Sequence, residues 1–269
     1  MADGPRTHLI RAKNRHRCKR GSGGYLGRVK ISVVVPAFNE EKLLGASLAE
    51  IQGAAQSFTA RGWEFELIVC NNNSTDRTGD IARAAGAKVV FEPFNQIGRA
   101  RNTGAAAATG DWLIFVDADS HPSAGLFTEV ADAIASGKFL AGGSTVVLDE
   151  KMFAANLITQ GWNLTSRFKK WLAGSFIFIE AAAFRELGGF NPEIFAAEEL
   201  ELSQRIKKIA AARGKKMTVL HRHPLKTSAR KVKLYSTGEL GRFFLRSIFN
   251  HRQTVRSREA AYLWYDGRR

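Results

Sequence analysis

The sequence predicts an α/β fold, a mixed and mostly parallel sheet flanked by helices. Three observations carry that expectation. Short apolar runs alternate with segments of three-to-four periodicity, the pattern of parallel strands joined by right-handed crossovers. Asn39, Asn71 and Asp117 each follow a strand-like run, so such a topology brings three polar turns to one edge of the sheet. Finally, the run Trp112-Leu113-Ile114-Phe115-Val116 stops abruptly at Asp117-Ala118-Asp119.

The first strand is read at Ile31–Val35, β-branched and ended by Pro36. Asn39 is expected to cap a helix with Glu40 and Glu41 in its first turn, where the dipole favours acids. Leu43, Leu44, Leu48, Ile51, Ala55 and Phe58 give that helix one apolar face. Phe65–Cys70 is the second strand, and Asn71 to Asp76 a polar turn opening a helix to about Ala85. Val89–Phe91 is a third strand, Gly98–Ala108 an Ala-rich helix, and Trp112–Val116 the fourth strand. After Pro122 the spacing predicts a helix carrying Leu126, Val130 and Ile134, then a strand over Phe139–Leu148. An amphipathic helix over Met152–Phe168, a strand over Leu172–Ile179 and a short helix over Ala181–Leu187 follow. A strong helix over Ala196–Arg213 and a short strand over Met217–Leu220 complete the fold. Tyr235 to about His251 reads as a basic amphipathic helix.

The net charge of +15 is concentrated at the two ends. Residues 1–30 hold nine Lys and Arg against one acid, and residues 222–269 hold twelve against three. Three regions follow: a basic, unstructured segment at 1–29, the folded domain at 30–234, and a basic helix and tail at 235–269. Such ends suit anionic lipid or nucleic acid, or are simply solvated. Two cysteines, Cys18 and Cys70, give no disulfide framework or zinc cluster. No apolar segment approaches the ~20 residues that span a bilayer, and the N-terminus lacks a signal-peptide core. A cytoplasmic protein is expected, at the inner face of the membrane if the basic ends bind lipid.

Asp117 and Asp119 would repel each other at a strand end unless a cation joined them. Mg²⁺ or Mn²⁺ suits one or two carboxylates completed by phosphate oxygens, so the pair points to a metal–diphosphate site. Alone, the pair reads more readily as an Asp-rich turn after a strand, where Asp is common.

Several stretches in order resemble the inverting nucleotide-sugar glycosyltransferases of family 2, which have the GT-A fold. Val33-Val34-Val35-Pro36-Ala37-Phe38-Asn39-Glu40 looks like the opening V-P-x-x-N-E, and Asn71–Asp76 resembles the D-D-G-S-T-D turn. Arg99-Ala100-Arg101-Asn102-Thr103-Gly104 is similar to A-R-N-x-G, and Asp117-Ala118-Asp119 to D-x-D. Gly188-Gly189-Phe190 followed by Glu198-Glu199-Leu200-Glu201-Leu202 resembles G-G-F…E-D-x-D/E-L.

The resemblance covers roughly residues 30–235 and implies a metal-dependent, inverting transfer from a UDP- or GDP-sugar. It implies that Asp119 binds Mg²⁺ or Mn²⁺ directly, that Asp117 contacts ribose or metal, and that Glu199 is the base. The family usually has Asp at that last position, so the reach here is one methylene longer. Otherwise, acids at 198–201 complement a helix dipole. Pro36 and Ala37 would offer backbone groups to the nucleotide base and Glu40 would accept from ribose hydroxyls. Asn71 replaces the usual Asp and either contacts the base or forms an Asx turn.

Arg99 and Arg101 do not share a helix face. One, taken as Arg99, is expected at the diphosphate and the other beside a surface acid. Arg230, in Thr227-Ser228-Ala229-Arg230-Lys231, suits a diphosphate or lipid phosphate. His221 and His223 are not at a clear metal-ligand spacing. The acceptor is open, and a lipid-linked one would fit a helix at 235–251 lying on a membrane. That helix packs on the core in the simpler reading.

Two other readings are weaker. A sugar-phosphate nucleotidyltransferase of related fold would need a Gly-rich loop with Arg and Lys after the first strand, and none follows Val35. A nucleic-acid-binding protein would explain the charge, but no RNA-binding aromatic motif accompanies it.

Overall fold

The computed structural model describes residues 28–150, 152–230 and 256–257. The basic segment expected at 1–29 and the amphipathic helix expected at 235–251 therefore lie, but for Arg28 and Val29, outside the described residues. Chain order is β1 (Lys30–Ala37), α1 (Leu44–Thr59), β2 (Glu64–Asn71), α2 (Thr78–Ala84), β3 (Lys88–Phe91), α3 (Ile97–Ala106) and β4 (Trp112–Val116). Then come β5 (Ser120–His121), α4 (Ala124–Ala135), β6 (Phe139–Leu148), α5 (Phe153–Lys169) and β7 (Phe176–Glu180). The last are α6 (Ala181–Glu186), α7 (Glu198–Ala212) and β8 (Lys216–Thr227).

These strands form one mixed sheet of order β3-β2-β1-β4-β7-β6-β8-β5. Pairing is parallel across β3-β2-β1-β4 and between β6 and β8, and antiparallel at β4–β7, β7–β6 and β8–β5. The alternation of side chains along a strand splits the core into two layers. Val33, Val35 and Ile114 pack with Leu48, Ile51 and Phe127 of α1 and α4 on one face. Val34, Phe115 and Ile177 pack with Phe184, Phe190, Leu202 and Ile206 on the other.

The parallel half brings the ends of β1, β2 and β4 to one edge, as the polar turns predicted. Elsewhere the structure differs. Asn39 does not cap α1, which starts at Leu44 with no acid in its first turn. Instead Asn39 adopts a left-handed conformation (φ 52°) and its Oδ1 accepts from the Thr75 amide at 2.8 Å, tying the first polar turn to the second. The strand expected from Leu172 begins only at Phe176, because residues 172–175 form a loop pinned elsewhere. β8 runs to Thr227, well past the expected Leu220, because parallel pairing with β6 and antiparallel pairing with β5 carry its polar half.

Candidate active site

Gly104 sets the position of α3. A Cβ there would overlap Val34 Cγ1, so the glycine lets the helix lie directly on β1. One turn earlier, Arg101 is buried at the same sheet edge, 1% exposed. Its Nη2 donates to Asp117 Oδ1 at 2.9 Å and to the Gly174 carbonyl at 2.8 Å, and its Nη1 donates to Glu198 Oε1. The guanidinium carbon lies 5.2 Å from the centroid of the Phe190 ring. Burial opposes its charge, but Asp117, Glu198 and Glu199 hold the group protonated above its usual range. One cation thus joins the D-x-D turn, the loop before β7 and the start of α7.

The D-x-D turn is fixed by backbone contacts. Ser120 N donates to Asp117 O at 3.0 Å, and Asp117 N to Ser175 O at 3.2 Å. Asp119 is 7% exposed, and its carbonyl accepts from Ser228 N at 3.2 Å, docking the chain after β8 against it. Arg230 follows directly. Its Nη2 donates to both Glu40 carboxylate oxygens, at 2.7 and 2.9 Å, and lies 3.8 Å from Asp119 Oδ2. Burial disfavours that charge, yet the hydrogen bond and charge of Glu40 raise the Arg230 pKa. The Nε atoms of Arg101 and Arg230 are buried and have no hydrogen-bond partner among the described residues.

Glu199 lines a cavity of about 260 Å³ together with Arg101, Asp117, Trp162, Phe195 and Glu198. Burial, and then the neighbouring charge of Glu198, push the Glu199 carboxyl up to about 8. The loop before β7 is tied to the same helix: Leu172 N donates to Ser203 Oγ at 3.1 Å, and Ser203 Oγ to Glu199 O at 2.7 Å. A Cβ at Gly174 would stand 3.3 Å from Arg101 Nη2 and 3.5 Å from Glu199 Cδ, so this glycine brings backbone close to both groups.

The expected site residues divide as follows. Asp117 and Glu199 share the cavity, and Asp119, Glu40 and Arg230 form an adjoining cluster. Pro36 and Ala37 end β1 beside Cys70 and Asn71 of β2. Asn71 Oδ1 accepts from Ser74 N at 2.9 Å, an Asx turn. Arg99 leaves the cluster: Nε donates to Gln96 Oε1 at 2.9 Å and the guanidinium sits 4.9 Å over the Phe94 ring. It is Arg101 that pairs with acids, and it does so in the interior, not at the surface. His223 Nδ1 lies 2.6 Å from Glu129 Oε1 of α4, and His221 lines a separate cavity.

The partners made by three sets of residues lay beyond sequence reasoning, although Asn102 is expected to fix a turn or the sugar pocket. Asn72, adjacent to Asn71, holds the Glu92 and Phe94 carbonyls through Nδ2 at 3.2 and 2.7 Å. Asn102 brackets Phe190, accepting from its amide at 2.9 Å and donating to its carbonyl at 2.8 Å, so two of the quoted motifs are one structural staple. Trp162 and Phe195 supply the aromatic wall of the cavity. The adjoining amides and Gly-Gly-Phe turn were the available signals, but neither gives a partner.

No group of three His, Cys, Asp or Glu side chains is placed to hold a metal among the described residues. A hard divalent ion completed by phosphate oxygens requires only one or two protein carboxylates, so the Asp117–Asp119 donor set fits that coordination. The orphaned Nε atoms of Arg101 and Arg230 match the acceptor oxygens such a phosphate would bring.

The profile of glycosyl transferase family 2 matches residues 32–186, more than half of the chain. An uncharacterised glycosyltransferase of Mycobacterium tuberculosis is 34% identical over 113 residues, covering 42% of this chain and 47% of the relative. The chain thus spans about half the length of that relative. A mannosyltransferase of Pyrobaculum calidifontis, solved with GDP-Man and Mn²⁺, superposes with a TM-score of 0.60 at 20% identity over 82% of this chain and 62% of that one. The S. aureus protein TarS, solved with UDP-GlcNAc, gives 0.58 at 22% identity over 75% and 59%. With the family profile running from β1 through the D-x-D turn to α6, the chain belongs to glycosyl transferase family 2.

Proposed function

We propose that the chain transfers a sugar from a nucleoside-diphosphate donor to an acceptor hydroxyl or phosphate, in one displacement with inversion. The carrying observation is the Arg101 junction, which sets Asp117 of the D-x-D turn and the Glu198–Glu199 pair around one cavity. In this reading the donor lies along the ends of β1, β2 and β4. Pro36, Ala37 and Asn71 border the nucleoside, Glu40 and Arg230 the ribose and diphosphate. Asp117 and Asp119 would hold Mg²⁺ or Mn²⁺, which when bound neutralises charge on the departing diphosphate. Arg101 keeps Asp117 oriented and adds positive charge beside the same group. Glu199 takes the acceptor proton as its oxygen attacks the anomeric carbon from the face opposite the diphosphate. Two neighbours of known structure carry UDP-GlcNAc and GDP-Man, which supports a UDP- or GDP-sugar as the donor class.

The test is a thermal-shift series of UDP and GDP with Mn²⁺ on the full chain and on Asp119→Ala. A metal-dependent rise in Tm for one diphosphate, lost in Asp119→Ala, is expected. No stabilisation of the wild type, or an equal response from Asp119→Ala, would overturn the reading.

A further inference from the structure

Helix α5 is amphipathic with its faces reversed. Leu157, Ile158, Leu164 and Phe168 are 63, 75, 70 and 83% exposed, and at helical spacing they form one outward stripe. The inward side carries Thr159, Asn163 and Ser166. Asn163 clasps Val146 of β6 through both its amide atoms, at 2.9 and 2.8 Å, and Ser166 Oγ donates to Trp171 O at 2.6 Å. Hydrogen bonds therefore hold the helix to the domain while Leu157, Ile158, Leu164 and Phe168 face away. A stripe of this size on a surface helix marks an interaction site.

The charges around the stripe name the partner. Arg167 and Lys169 lie in the last turn and Lys170 caps it, while residues 153–170 contain no acid. A second copy packed on this face about a two-fold axis would bring no acid from its own α5 to pair with these cations. The basic segment 235–258 would also bring like charge. An anionic bilayer surface matches both the stripe and its cationic border, and an interfacial helix needs this composition. No helix among the described residues is long and apolar enough to cross a membrane, so the contact is in the plane of the surface.

We infer that α5 is a membrane-docking helix that lies in the interface of an anionic lipid bilayer. The same helix turns Trp162 into the cavity of Glu199, so docking places that cavity one helix thickness from the lipid. The acceptor class this selects is an amphiphile whose polar head enters beside α5. That last step rests on the proposed transfer reaction; lipid docking does not.

The test places a fluorophore sensitive to polarity on Leu164→Cys in a Cys18→Ser background, since Cys70 is buried. Vesicles of phosphatidylcholine with and without phosphatidylglycerol are added to the 269-residue chain. A blue shift confined to the phosphatidylglycerol vesicles is expected. The unlabelled triple variant Leu157→Gln, Leu164→Gln, Phe168→Gln keeps the charge. It is expected to lose about tenfold or more in vesicle partition, with circular dichroism and thermal unfolding unchanged. Equal partition of variant and wild type overturns the inference and assigns binding to the basic ends. A probe shielded without lipid also overturns it, in favour of a second copy if shielding falls on dilution and of the chain's own segment if it does not. Lipid docking and donor binding are read separately, so the failure of one is distinguishable from the failure of the other.

Discussion

Glu199 is the residue on which the proposed chemistry turns. Its carboxyl is raised to about 8 by burial and by Glu198, and a base works deprotonated. The rate is therefore expected to climb with pH as Glu199 ionises and to level above about 8, as read from kcat/KM against pH. Glu199→Gln is expected to lose roughly 10²–10⁴-fold in kcat while retaining donor binding. A flat pH profile, or a Gln variant with near-normal turnover, would exclude it as the base. Asp117 and Glu199 could be set at one site from the sequence because each stands in a motif whose residue types limit the chemistry, and both line one cavity. Arg99 and Arg101 were not separable in the same way. They differ only in helical phase, and Arg101, three residues before Gly104, shares the face that Gly104 brings close to Val34.

That close approach matters at the scale of the element. Gly104→Ala inserts a methyl where Val34 already sits, and overpacking of this kind costs about 1–3 kcal/mol. Denaturant titration should show this as a lower midpoint at unchanged slope; an unaltered midpoint would mean that α3 can ride outward freely. Most elements were legible from apolar periodicity, down to the matching bounds of β4 and β6. The failures share one physical cause. Asn39, the loop at 172–175 and the polar half of β8 take their conformations from partners distant in sequence. These are Thr75, Ser203 and β6 with β5. A local pattern carries no record of such partners.

Across the whole molecule, Arg101 ties the parallel half of the sheet to the loop and helix that complete the cavity. Arg101→Ala would leave Asp117 and Glu198 near each other with their common cation gone. Removing one partner of a buried pair costs about 3–5 kcal/mol. The variant is expected to unfold at lower denaturant, and a stability within error of wild type would mean the acids reach water unaided. The same junction constrains the order in which the chain becomes itself during synthesis. Residues 30–120 emerge from the ribosome first and hold strands enough for a sheet. Yet Arg101 then has only one of its two acids, and Asn102 has no Phe190 to bracket. The nascent first half must wait with its edge unsealed until about residue 200 is free. The D-x-D turn is therefore made early and finished late, by the same segment that delivers Glu199.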